Sequence, residues 1–316
     1  MHDKPRLPGG TLFHEDWWLN AATGGHWDVL TVERDGIVVA SMPFFMRSRF
    51  GLRFLLMPPY TRTLGPLFSE LPTKPAKRLS AQVELLRALL DKVPKHDRFE
   101  MILPPESDLT LAFVACSYMV TNTFTFVWDG NPPADLLLRD MQANTRRKIL
   151  ASAKRLHAER HADLDRFIRM SVLEHGRLLR NNHDFAVVGA IFQACLEREQ
   201  ALVLSAVDED GRDVAVCVLV WGCGVLYNLL AARHPEESGP GGNSFLVWEA
   251  MRIAQEKGLT FDSDGVYSPH AALFYSRFGL TPKVRPTVNR GNNWWKIVFM
   301  AKAALRPHTV DLYYRR

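Results

Sequence analysis

Two spacings of apolar residues alternate along this chain, a period of two that predicts strands and a period of 3.6 that predicts helices. The first part opens with a short helix over 13–21. The β-rich runs 27–33 and 37–46 flank Arg34-Asp35-Gly36 and predict a hairpin. A third strand over 54–57 stops at Pro58-Pro59, and 60–75 is a loop of Pro, Gly, Thr and Leu. Helical spacing returns over 79–93. A short buried strand (99–103), a short helix (109–116) and an alternating strand (119–128) follow. The second part carries a basic helical stretch over 144–157, then helices over 164–179 and 185–197. Strands over 202–208 and 213–221 form a second hairpin around Glu209-Asp210-Gly211-Arg212. A strand over 225–232, a loop over 234–242 and a well-patterned helix over 243–257 come next. A brief strand (259–262), a turn, a helix starting at Ser268-Pro269-His270 and strands near 283–289 and 294–301 complete the reading, with the tail 306–316 unassigned.

The two parts share one order of elements: hairpin, third strand, Pro/Gly loop, long helix, short strand, short helix, strand. It starts at Trp27 and again near Leu202, without a residue-level repeat. The run Asp129-Gly130-Asn131-Pro132-Pro133 predicts a linker, which gives domains of 1–130 and 131–316.

Chemistry-bearing residues gather in the second part. Asp262, Ser263, Asp264 and Gly265 end a strand, and ligands of α/β sheets gather at the C-terminal ends of strands. Ala271, Phe274, Tyr275 and Phe278 share one helical face, and Gly279 stops that helix. Asp262 and Asp264 suit proton transfer or charge recognition, although Asp-Ser-Asp-Gly is also a common turn. His270 suits a base or a helix cap. Tyr275 suits an acid or a packing aromatic.

Gly239, Gly241, Gly242, Asn243 and Ser244 precede or open the 243–257 helix. Glycines allow close backbone approach and helix-start N–H groups attract phosphate; the plainer account is a turn with Asn243 or Ser244 as cap. Arg146, Arg147 and Lys148 form a basic run for phosphate or carboxylate, or else a solvated helix face. Tryptophans 17, 18, 221, 248, 294 and 295 serve either packing or an apolar groove for a long acyl chain.

The 316 residues allow two ordinary domains. A composition that is 47% apolar and 23% charged rules out a disordered chain. The net charge of +5 suits a phosphate-bearing ligand and equally a soluble surface. Cys116, Cys195, Cys217 and Cys223 show no C-x-x-C pair and stand in apolar surroundings, so core thiols are expected, with neither a disulfide frame nor a zinc site. The N-terminus lacks the apolar run of a signal peptide. The apolar segment 213–232 is broken by Gly222-Cys223-Gly224, so no membrane span and a cytoplasmic location are expected. Walker, His-Glu-x-x-His and G-x-S-x-G motifs are lacking, and no metal is expected.

The stretch Ser-Pro-His-Ala-Ala-Leu-Phe-Tyr-Ser-Arg-Phe-Gly-Leu resembles the last motif of the GNAT acyltransferases, with Ala271, Tyr275 and Gly279 in register, Ser268 for its Asn and Leu280 for its Phe. With FDSDG before it, it also resembles the Fem-type and polysaccharide-associated branch, in which one chain holds two GNAT units. The repeated order extends the resemblance over nearly the whole chain. It implies an α/β protein of two tandem GNAT-like domains, each a mixed, mostly antiparallel twisted sheet flanked by helices, with the first degenerate for cofactor. By the same resemblance acyl-CoA (acetyl-CoA or longer) is the donor, its pyrophosphate sits at the helix start near Gly241, and Tyr275 protonates the leaving thiolate. Asp262, matching the Fem-type Phe-Asp-Phe, or a water takes the amine proton, and a backbone N–H of 225–232 polarises the thioester. The acceptor, a small molecule, peptide or sugar bound between the domains, would meet Arg146, Arg147, Lys148 and Asp264. Fem-type transferases instead take aminoacyl-tRNA, carry Lys where this chain has Tyr275, and use a helical arm that this sequence lacks. A non-catalytic ligand- or RNA-binding module on the same fold is the third expectation. Oligomeric state is open.

Overall fold

The computed structural model describes residues 7–49, 51–176, 183–235, 241–266 and 268–291. Gly239, the strand expected at 294–301 with Trp294 and Trp295, and the tail lie outside them. In chain order the elements are α1 (Asp16–Thr23), β1 (Trp27–Arg34), β2 (Ile37–Arg49), β3 (Leu52–Leu56), β4 (Leu67–Phe68), α2 (Pro75–Leu90), β5 (Arg98–Ile102), α3 (Thr110–Ala115) and β6 (Met119–Trp128). Then come α4 (Ala134–Asp140), α5 (Ala143–Ser152), β7 (His157–His161), α6 (Asp165–Gly176), α7 (Phe185–Leu196), β8 (Ala201–Val207), β9 (Asp213–Gly222) and β10 (Val225–Arg233). The last are α8 (Gly242–Glu256), β11 (Thr260–Asp262), α9 (Pro269–Tyr275) and β12 (Thr281–Gly291).

The residues form two compact units. One holds the chain up to Phe124 together with the stretch from Val284, and the other is Thr125–Lys283. In the first, β1 and β2 form the expected antiparallel hairpin. Asp35 and Gly36 both take the left-handed conformation (φ 52° and 76°), which a two-residue turn between right-twisted strands requires. β2 pairs antiparallel with β3, β3 parallel with β5, and β5 antiparallel with the Thr287–Gly291 stretch of β12. Phe13, Trp18, Phe99 and Phe113 fill the core of this unit.

In the second unit β7, β8, β9 and β10 are antiparallel neighbours, β10 runs parallel to β11, and β11 pairs with the end of β6. Helix α8 is buried nearly all round, through Phe245, Leu246, Val247, Trp248, Met251 and Ile253. A helix apolar on every side belongs in a core. It packs on the sheet, on α4 and on α5.

The sequence pattern missed three elements, one of them the two-residue β4 inside the loop expected at 60–75. The basic helix ends at Ser152, not near His157, because His157–His161 pairs with β8 as an edge strand. Helix α4 lies just after the expected linker and buries Ala134 and Leu137. Cysteine placement also differs from expectation. Cys195 and Cys217 are buried, Cys116 is partly covered, and Cys223 is exposed. Cys223 occupies the β9–β10 turn with φ 51°, so the apolar residues beside it belong to strands while the turn itself faces out. Burial pushes the Cys195 and Cys217 thiols up to about 12, so both stay protonated and unreactive near pH 8. Maleimide labelling of the native protein at that pH is expected to modify Cys223 quickly, and Cys195 and Cys217 only after denaturation; mass spectrometry of digested samples reads the difference.

Among the described residues no helix is long and apolar enough to cross a membrane.

Candidate active site

The site starts where β10 and β11 part. Their parallel register covers Val225–Tyr227 against Thr260–Asp262, and β10 then continues to Arg233 while β11 ends. On its other side β10 keeps pairing with β9, with a register shift between Asn228 and Leu230. A bulge next to a strand fork re-aims side chains and backbone groups, a device common beside active sites.

The acidic turn after β11 is a buried, hydrogen-bonded clamp. Asp262 and Asp264 are 4% and 2% exposed. The Asp262 carboxylate accepts from the Thr125 hydroxyl and from the Asp264 N–H at 2.7 Å. Ser263 Oγ accepts the Phe126 N–H at 3.1 Å, and Gly265 N–H donates to Thr125 Oγ1 at 3.1 Å. Asp264 takes φ 68°, a left-handed conformation that Asp tolerates better than most side chains. Thr125 and Ser263 are therefore working parts of this turn. Neither carries a sequence signal stronger than that of any hydroxyl in a strand or turn.

Helix α9 brings Tyr275 to the fork. Ser268 caps it by accepting the Ala271 N–H at 3.1 Å, with Pro269 in the first turn. The α-helix stops at Tyr275, a 3₁₀ turn carries Ser276–Phe278, and Gly279 closes the end at φ 75°. Phe278 is fully buried and anchors this end, while Phe274 and Tyr275 pack half-buried against the core. The Tyr275 ring lies 6.2 Å from that of Phe126 and 5.1 Å from that of Phe274. Its hydroxyl accepts a hydrogen bond from Asn228 Nδ2 at 3.4 Å. Burial first, then the nearby Cys217, Asp264 and Asp262, push the phenol well above its ordinary value against the pull of Asn228. Tyr275 is thus a phenol that keeps its proton, the state a general acid needs. His270 is exposed on the first turn of α9, and among the described residues no partner holds its ring.

The start of α8 forms the second cluster. Among the described residues no side chain caps its first turn, so its N–H groups are suited to an anion. Gly241, Gly242 and Ser244 are buried and Asn243 is partly covered. A Cβ on Gly241 would stand 1.7 Å from Ser152 Oγ, and one on Gly242 would stand 2.9 Å from Val214 Cγ1. These glycines let α8 press against α5 and β9. Gly241→Ala is expected to destabilise by about 1–3 kcal/mol, and Ser152→Ala in that background to recover most of the loss in chemical denaturation.

The same contact brings the backbone of α5 to the helix start, with the Lys148 carbonyl 3.7 Å from that Cβ position. Arg146 donates to the Arg139 carbonyl at the end of α4, whereas Arg147 is exposed and Lys148 partly so. The structure thus forms two groups: Tyr275, Asp262 and Asp264 with Asn228 and Thr125 at the fork, and Gly241–Ser244 beside Lys148 and Ser152. Among the described residues no cluster of His, Cys, Asp and Glu could hold a metal ion.

Residues 139–265 match the model of the acetyltransferase (GNAT) domain. The second unit carries a GNAT domain. Solved structures extend the likeness to the whole fold. The crystal structure of FemX aligns over 92% of this chain and 95% of its own, at 15% identity and a TM-score of 0.69. The C-terminal domain of a putative lysylphosphatidylglycerol synthetase from Agrobacterium fabrum covers 92% and 93% of the two chains, at 14% identity and a TM-score of 0.58. A tandem GNAT protein from the clavulanic acid biosynthesis pathway covers 84% and 82%, at 11% identity and 0.51. Among curated proteins none matches the sequence. The chain shares the α/β tandem fold of these structures, and its second unit holds the stretch that matches the GNAT domain.

Proposed function

We propose that the chain transfers an acyl group from acyl-CoA, acetyl-CoA or a longer homologue, to an amine, or in second place a hydroxyl, of a small molecule, peptide or sugar. The observation that carries this reading is the proton-bearing Tyr275 hydroxyl, held by Asn228 where β10 leaves β11. The donor phosphates rest on the first turn of α8 at Gly241–Ser244, close to the α5 backbone that carries Arg147 and Lys148. A backbone N–H of β10 beyond the fork polarises the thioester carbonyl. The acceptor amine attacks that carbon, the C–N bond forms and the C–S bond breaks. Tyr275 gives its proton to the departing sulfur and regains one from solvent. Asp262 and Asp264 draw an ammonium acceptor, which gives one proton to solvent before it attacks, and the second nitrogen proton, released as the amide forms, leaves to Asp262 or, through water, to His270.

A second reading keeps the site and changes the donor to aminoacyl-tRNA, as in Fem-type transferases. The alignment with FemX over nearly the whole chain and the net charge of +5 support it. Tyr275 in place of the Fem-type Lys supports acyl-CoA. The protein is to be mixed with acetyl-CoA or longer acyl-CoAs and a panel of primary amines, and release of free thiol followed. Amine-dependent thiol release is the expected result. Turnover with aminoacyl-tRNA alone would establish the second reading, and turnover with neither donor would leave a binding module.

A further inference from the structure

Asn228 is a polar residue in the apolar run Val-Leu-Tyr-Asn-Leu-Leu-Ala-Ala, and the structure buries it to 6% exposure at the first position of β10 beyond its pairing with β11. One end of its amide serves the Tyr275 hydroxyl. The other, Oδ1, is buried and has no hydrogen-bond partner among the described residues. A buried amide oxygen without a donor is unfavourable, and an apolar side chain of the same shape would avoid that cost. Such an unpaired buried group calls for an explanation, and a catalytic or ligand-binding role is one of the few that fit.

We propose that Asn228 is the positioning residue of the acyl-transfer site, orienting the Tyr275 proton and receiving an N–H of the bound substrate on its free oxygen. The inference rests on the acyl-transfer reading given above. Donation from Nδ2 occupies a lone pair of the phenol oxygen, so the phenol proton points away from Asn228, toward the group that leaves. Oδ1 lies on the same planar amide, so a substrate N–H bonded to it fixes the amide, and through the amide the hydroxyl. The matching ligand chemistry is an N–H donor next to the transferred carbonyl, either an amide of the donor's arm or the acceptor amine. The 3.4 Å contact is long, as catalytic hydrogen bonds often are before substrate binds.

The test compares Asn228→Leu, Tyr275→Phe and the double variant for melting temperature, kcat and KM. Leu fits the volume and removes the unpaired Oδ1 but takes from the Tyr275 hydroxyl its long-range donor, so Asn228→Leu should melt close to the wild-type temperature. Its kcat should fall at least tenfold, and the double variant should be no slower than Tyr275→Phe alone, since the role of Asn228 runs through that hydroxyl. A larger KM for the donor than for the acceptor, or the reverse, tells which partner supplies the N–H. A lower melting temperature with unchanged kcat would make Asn228 merely structural and overturn the inference. So would losses that multiply in the double variant. Unchanged kcat in Tyr275→Phe would overturn the acid role and the inference with it. A slow Tyr275→Phe beside a full-speed Asn228→Leu would overturn the inference alone. Should Asn228→Leu fail to fold, Asn228→Ser gives the same kcat comparison.

Discussion

Tyr275→Phe is expected to lower kcat about 10²- to 10³-fold and to leave KM for the donor within about threefold. The ring keeps its contacts with Phe126 and Phe274, so the fold loses one long hydrogen bond from Asn228 and little else. The leaving thiolate loses its proton source, an interaction made only in the transition state, and kcat carries the loss. The sign of the pH dependence follows from the raised phenol. Folded protein holds this proton where the unfolded chain, with an ordinary tyrosine near pH 10, releases it. The stability contributed by neutral Tyr275 is therefore complete below about pH 10 and declines as the pH rises above it. Tyr275→Phe should resist alkaline unfolding better than wild type in melts taken above that pH. An ordinary tyrosine titration for residue 275, with no change in kcat on substitution, would remove the acid from the mechanism.

Asp262→Ala is expected to destabilise by about 2–5 kcal/mol, since it leaves the Thr125 hydroxyl and the Asp264 N–H buried without their acceptor. The damage should spread to catalysis, because Gly265 hangs on the same Thr125 and the turn borders the fork. Asp262→Asn offers an amide oxygen to both donors and should regain more than half of the lost stability in denaturant unfolding. The pair of variants separates scaffold from proton acceptor. A kcat that recovers in Asp262→Asn along with stability makes Asp262 an anchor, with the amine proton passing through water or His270. A kcat reduced by more than about 10²-fold in a fully stable Asp262→Asn makes it the acceptor.

The order of elements was legible because it depends on periodicity and on turn residues such as Asp35-Gly36 and Gly279, whose conformations only a few side chains accept. Residues 157–161 were not legible as a strand. The sequence His-Ala-Glu-Arg-His has no apolar face, and β8 alone makes it a strand. Tyr275 and Asp262 could be found because each stands in a motif. Asn228 left one signal, a polar residue inside an apolar strand, whose meaning needs the fork and the hydroxyl across from it. Gly241 and Gly242 were read as glycines of a ligand loop, and the structure gives them a packing duty: Ser152 and Val214 occupy the space of a Cβ, and no local sequence pattern reports a neighbour so distant in the chain.

Isothermal titration with acetyl-CoA and longer acyl-CoAs, on wild type and Asn243→Glu, tests the central claim most directly. Asn243 is partly exposed on the first turn of α8, where a carboxylate suits the helix and repels phosphate. Ser244, being buried, would confound charge with folding. The predicted result is saturable binding of acyl-CoA to wild type, weakened at least tenfold by Asn243→Glu with the melting temperature unchanged. Absence of binding by every acyl-CoA, or binding that ignores the added charge, would contradict an acyl-CoA donor seated on α8.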